Sequence, residues 1–236
     1  MKRVIAGLVP IVGTCTLWAG AVMAGDAPIL QSVPVAQVAP APVAAAVPPV
    51  PGVHAYTDTY VVQHPYNLPQ SARFSVDPGP VYNAWVLKGD KPLRPGSNTG
   101  PRTEMRWSLN WSSGLHVWEA DVNIDAGTTQ TAIMQVKGVA GGEAIYAQVT
   151  NGTLKNSSSG AVLATNVYGQ WFHMVCAFNP TTKTSQIWVN GVLKQTAHYG
   201  TKGTWYFKNG VYSSGYHNLT TPKSEAHFKN IQFWMA

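Results

Sequence analysis

From about His54 to the carboxy terminus the chain is written in short runs of Trp, Tyr, Val and Thr, separated by clusters of Gly, Asn and Ser. No stretch carries the apolar period of an amphipathic helix. A chain patterned this way can bury its apolar side chains only by stacking one sheet on another or by closing a sheet on itself. The pattern predicts strands over Thr59–Gln63, Ala72–Val76, Asn83–Leu87, Thr103–Leu109, Gly114–Ile124, Thr131–Gly138, Ala144–Thr150, Thr153–Asn156, Trp171–Asn179, Thr184–Val189, Val192–Thr196, Trp205–Tyr212 and Ser224–Met235. Asn190-Gly191, between two apolar pairs, is a two-residue hairpin signal. Many short strands without an internal repeat point to an all-β, two-sheet antiparallel jelly roll with a concave binding groove, rather than to a propeller or solenoid.

The segment ahead of the strands has a different character. Met1-Lys2-Arg3, the apolar stretch Val4 to Val22 and the small residues ending at Ala24 read as a cleavable signal peptide over 1–24, and therefore as a secreted or periplasmic protein. Pro10 and the absence of a basic flank after Ala24 argue against a membrane span. Residues 25–56, rich in Pro, Ala and Val, read as an extended linker, with the folded domain over 57–236. Removing the leader removes Lys2 and Arg3 from 16 basic residues, leaving 14 against 10 acidic ones, a net charge of +4. That balance favours a polyanionic partner, while the basic residues are too few for nucleic acid. Cys176 is then the one remaining thiol, and its apolar surroundings mark it as buried and inert. The histidines are scattered and no clustered Asp loop is present, so neither a metal nor a cofactor is expected, and the chain is expected to act as a monomer.

Alternation assigns side chains to faces. Arg102, Glu104 and Arg106 share one face of their strand, opposite Met105 and Trp107. Gln135 and Lys137 oppose Met134 and Val136, and Tyr206, Lys208 and Tyr212 oppose Phe207 and Val211. If the three faces line one sheet, they form a groove rich in cations, amide and phenol. A solvated sheet face would carry Thr, Ser, Glu and Lys rather than this mixture.

Arg102-Thr103-Glu104-Met105-Arg106, Gln135-Val136-Lys137 and Tyr206-Phe207-Lys208-Asn209-Gly210-Val211-Tyr212 resemble, in order and spacing, the three signatures of the alginate-lyase-2 jelly-roll family of polysaccharide lyases. The wider stretch from Val61 to the carboxy terminus resembles more closely the group that includes plant citrate-binding proteins and glucuronan lyases. The resemblance implies β-elimination at a uronic acid in an acidic polysaccharide, a polyuronate. Under it, Arg102 or Arg106 together with Gln135 neutralises the carboxylate. Tyr212 transfers the proton, and Lys208, Arg106 and Lys137 favour its phenolate. Lys208, Tyr206 and Glu104 bind substrate. Lys137 stands where that family usually has histidine, so the proton acceptor is either Tyr212 itself or one of His64 and His116. Two other readings stay open: a citrate-like carboxylate binder that kept the groove and lost the chemistry, and a neutral-sugar lectin using Trp111 or Trp205.

Overall fold

The computed structural model describes residues 49–200, 203–213 and 219–236. The leader expected over 1–24 and the linker up to residue 48 lie outside the described residues. Among the described residues there are fifteen strands and one 3-10 turn (Gln70–Ala72), and no helix long and apolar enough to cross a membrane. In chain order the strands are β1 His54–Tyr56, β2 Tyr60–Gln63, β3 Phe74–Asp77, β4 Val81–Leu87, β5 Arg102–Trp107, β6 His116–Ile124, β7 Thr131–Gly138 and β8 Glu143–Thr150. They continue as β9 Thr153–Asn156, β10 Ala161–Ala164, β11 Phe172–Asn179, β12 Thr184–Val189, β13 Val192–His198, β14 Trp205–Ser213 and β15 Lys223–Met235.

Two antiparallel sheets stack face to face. One runs β13-β12-β11-β6-β15-β4-β3, with β1 added beside β15; the other runs β10-β9-β8-β7-β14-β5-β2. Their facing sides contribute one core, built on Trp118, Phe178 and Phe228 from the first sheet and Met105, Met134, Val136, Phe207 and Val211 from the second. Burying aromatic side chains of this size supplies a large share of the apolar stabilisation of a sandwich. Cys176 lies wholly inside it, and burial pushes its thiol pKa far up.

Two departures from the expected boundaries have physical causes. His54–Tyr56 pairs with Phe233 to Met235, and Val50 and Val53 pack with Trp234, so residues of the stretch read as linker belong to the fold. Proline density marked residues 49–51, and it hid two buried valines beside them. Strand β10, Ala161–Ala164, was missed because it is short, sits at a sheet edge and slips register against β9. The Asn190-Gly191 turn is as expected, with φ of 50° and 75°.

Candidate active site

In the second sheet β14 lies between β5 and β7, and its register sets the site. Lys208 stands opposite Arg106 on β5 and Gln135 on β7; Tyr212 stands opposite Arg102, and Tyr206 opposite Lys137. The three expected polar faces therefore do form one surface, turned away from the core. At Gly210 a side chain would not fit. Its φ is +144°, and a Cβ there would stand 2.2 Å from the Thr103 carbonyl oxygen, so β14 presses directly onto β5 only because this residue is glycine.

Beneath the surface lies a buried polar knot. Glu104, Lys208 and Gln135 are only 1%, 3% and 2% exposed. The Lys208 ammonium donates to Glu104 Oε2, and Gln135 Nε2 donates to Glu104 Oε1 at 2.5 Å. Arg102 closes the knot, with Nη1 3.6 Å from Glu104 Oε2. Desolvation pulls the Lys208 pKa down to about 8, against the support of Glu104 and with Arg102 and Lys137 adding to the fall. Glu104 and Lys208, expected to bind substrate, are thus floor residues that hold Gln135 and Arg102 in place. Each Glu104 oxygen accepts one of these hydrogen bonds, and the Arg102 charge lies close by.

The two arginines have different roles. Arg106 donates to the Trp107 carbonyl at 2.5 Å, the Ser108 carbonyl at 3.1 Å and Asn110 Oδ1 at 2.6 Å, and its guanidinium lies 4.2 Å from the Tyr206 ring centroid. Its donors anchor the turn after β5. Arg102 sits 4.0 Å over the Tyr212 ring, and its Nε is buried without a protein partner. Arg102 is therefore the guanidinium packed on the phenol, and its hydrogen bond to Tyr212 pulls that pKa down.

Tyr212 departs from expectation in one respect. Burial raises its pKa, with Glu104 and Glu143 adding to the rise, and this outweighs the pull of Arg102. Burial thus favours the neutral phenol, against the expected effect of the neighbouring cations. Tyr206 is likewise raised by burial. Tyr212 opens onto a cavity of about 330 Å³ that is also lined by Glu143, Tyr146, Ser157 and Ser158. Tyr146 meets it edge-on, with ring centroids 6.5 Å apart. Lys137 is ion-paired across the β7–β8 hairpin with Glu143. Across the surface, Arg102, Arg106, Lys137 and Lys208 oppose Glu104 and Glu143, so the net charge is 4 − 2 = +2.

Of the two histidines proposed as proton acceptor, His116 does not join this group. His116 begins β6 in the other sheet, 6% exposed and stacked on Trp111 with centroids 4.6 Å apart; burial lowers its pKa to about 4. It is a core residue, separated from the site by the second sheet. His64 follows the end of β2, whose Gln63 pairs with Glu104, and its Nδ1 lies 3.1 Å from the Pro65 carbonyl. The tryptophans of the lectin reading, Trp111 and Trp205, are buried at 5% and 1% exposure and bridge one another, which removes them from any sugar-stacking role.

Tyr146, Glu143, Ser157 and Ser158 were missed. The period-2 pattern of β8 already placed Tyr146 on a face with Gln148, but nothing in the sequence paired that strand with Gln135. The scattered histidines also hid one cluster: Asp125, Glu225 and His227 bring ligand atoms within 4.8 Å of one another on the first sheet. Its members are engaged with each other and with neighbours, His227 with Asn83 and Asp125, and Glu225 with Lys223.

This arrangement of sheets and polar face defines an all-β jelly roll of the alginate-lyase architecture. The alginate lyase AlgAT5 from Polysaccharide Lyase family 7 superposes with a TM-score of 0.62 at 18% identity, covering 75% of this chain and 94% of that one. The alginate lyase from Corynebacterium sp. gives 0.58 at 15% identity, covering 72% and 83%. An alginate lyase solved in complex with dimannuronate gives 0.51 at 14% identity, covering 68% and 76%. No family model matches the sequence. The citrate-binding protein of Hevea brasiliensis is 33% identical over 179 residues, covering 75% of this chain and 74% of that protein. The chain belongs to the family of that citrate-binding protein, on the fold of the alginate lyases.

Proposed function

We propose that this protein is an exported polysaccharide lyase that binds a polyuronate across the outer face of the second sheet and cleaves it by β-elimination. The observation that carries this reading is the packing of Arg102 on Tyr212, at 4.0 Å, above the buried Glu104–Lys208–Gln135 knot. β-Elimination at a uronate needs the carboxylate neutralised, a base for the proton at C5 and an acid for the leaving oxygen at O4. Arg102 supplies the positive charge at a point where the knot fixes its position, and preorganised donors of this kind stabilise an enolate-like state. Gln135, held by Glu104, adds an amide donor beside it. Tyr212, kept protonated by burial, is suited to give its proton to the departing oxygen. The net charge of +2 on this face attracts an acidic polymer and repels a basic one.

The citrate-binding relative supports a second reading, in which the same cationic site holds a small polycarboxylate without cutting anything. One experiment separates them. The purified protein is mixed with glucuronan, polymannuronate and polyguluronate, and the ultraviolet absorbance of the unsaturated uronate is followed for wild type and Tyr212→Phe. Rising absorbance with one polymer, lost in the variant, supports the lyase; flat traces with citrate binding intact support the binder.

A further inference from the structure

The connection between β4 and β5 walls a cavity of about 720 Å³ at the end of the second sheet where β5 begins and β14 ends, a volume in the range that takes small molecules. Pro101 is part of its wall and is next in sequence to Arg102. The Pro101 carbonyl accepts from the Ser213 amide at 3.0 Å, beside Tyr212. The cavity thus adjoins the Arg102–Tyr212 end of the polar face.

Its wall is rich in donors. Lys88 and Lys91, both exposed, line it, and neither forms an ion pair among the described residues. The carboxylate in the wall, Asp90, accepts from Arg73 Nε at 2.6 Å, from Arg73 Nη2 at 2.7 Å and from the Leu87 amide at 2.8 Å, and its side chain is only 6% exposed. Its charge is therefore neutralised within the loop, and the two lysines are unopposed. Ser97 Oγ and Thr99 Oγ1 lie 2.9 Å apart and share one hydrogen, so one of the two hydroxyls keeps a hydrogen for a ligand oxygen.

The backbone holds both lysines in place. Lys88 sits in a tight turn closed by the Asp90 amide on the Leu87 carbonyl at 3.1 Å, and its own amide donates to the Pro222 carbonyl at 2.9 Å. Lys91 precedes Pro92, whose carbonyl accepts from the Tyr66 amide at 3.1 Å. Cations on a pinned loop lose less freedom on binding than cations on a free chain.

We infer that this cavity is a second carboxylate subsite, in which Lys88 and Lys91 hold one uronate of an acidic chain while Arg102 holds another. This assignment rests on the polyuronate reading and deepens it, because it selects for a run of uronates. A chain with a carboxylate on every residue engages both places, and its second contact forms intramolecularly. A chain whose uronates are separated by long neutral stretches gains nothing from the lysines.

The test is the binding of a uronate hexamer to the full chain, measured by calorimetry at fixed salt in a Tyr212→Phe background that leaves the ligand uncut. Lys88→Gln and Lys91→Gln are each expected to raise Kd by about tenfold, the loss usual for a hydrogen bond to a charged group. Lys91→Arg should keep most of the affinity. Lys194→Gln removes the same charge from exposed β13 of the first sheet and should change Kd little. Losses at Lys88 and Lys91 no larger than that at Lys194 mean that only net charge acts, and overturn the inference. So does a Lys91→Arg protein as weak as Lys91→Gln. A hexamer that binds neither this background nor wild type sinks the polyuronate reading itself, whereas failure of the lysine assignment leaves hexamer binding in place.

Discussion

Replacing His116 by leucine should flatten the acid limb of this protein's stability curve. His116 is 6% exposed between Trp111 and Tyr56, and burial lowers its pKa from 6.5 to about 4. The depressed value means that the folded state refuses a proton the unfolded chain accepts. Its contribution is therefore fully present above pH 6.5 and is lost as pH falls through the window from 6.5 to about 4. With those two values, linkage gives a loss of about 2 kcal/mol between pH 7 and pH 5, and about 3 kcal/mol once both limits are passed. Urea denaturation at pH 7 and pH 5 measures it. The wild type should lose about 2 kcal/mol more than His116→Leu over that interval, whatever the variant's absolute stability. Equal losses in the two proteins would mean that His116 protonates in place, and the argument that removed it from the catalytic candidates would fail.

Other consequences follow from the same geometry. Glu104→Ala leaves the Lys208 ammonium buried without its partner and should destabilise by about 3–5 kcal/mol in denaturant unfolding. Gly210→Ala should cost at least about 3 kcal/mol or prevent folding, because a Cβ would meet the Thr103 carbonyl oxygen and the Glu104 Cα while φ stays positive. His173 has a raised pKa, from its bonds to Glu119 first and Asp121 second, so it contributes stability below pH 6.5 that is lost as pH rises through its folded value. Glu119→Gln should weaken that dependence in thermal melts across pH 5 to 8. Cys176 should resist thiol reagents in the native protein and react fully only once unfolded.

Most of the architecture was legible because a strand's period of two writes itself into the sequence. Thr131–Gly138, Thr153–Asn156 and Thr184–Val189 have the boundaries that alternation predicted. Alternation also placed Arg102, Gln135, Lys208 and Tyr212 on polar faces. What it could not supply was depth. A polar face looks the same in sequence whether its residues meet solvent or lie under their neighbours, so Glu104 and Lys208 read as binding groups although they are 1% and 3% exposed. Burial also reversed the expected effect on Tyr212: the cations are where they were expected, but desolvation of the phenol is larger than their pull. Glu143 was invisible for a different reason. Its partnership with Lys137 runs across a hairpin with a register shift, and the sequence gives no sign of where such a bulge falls.

The central claim is that the groove cuts a polyuronate by elimination, and the masses of the products test it most directly. A defined uronate oligomer incubated with the protein should yield fragment pairs whose masses sum to that of the substrate, one of each pair carrying the unsaturated end, with no such pairs from Tyr212→Phe. Fragments summing to substrate plus one water would contradict elimination, and intact oligomer alongside tight citrate binding would contradict cleavage altogether.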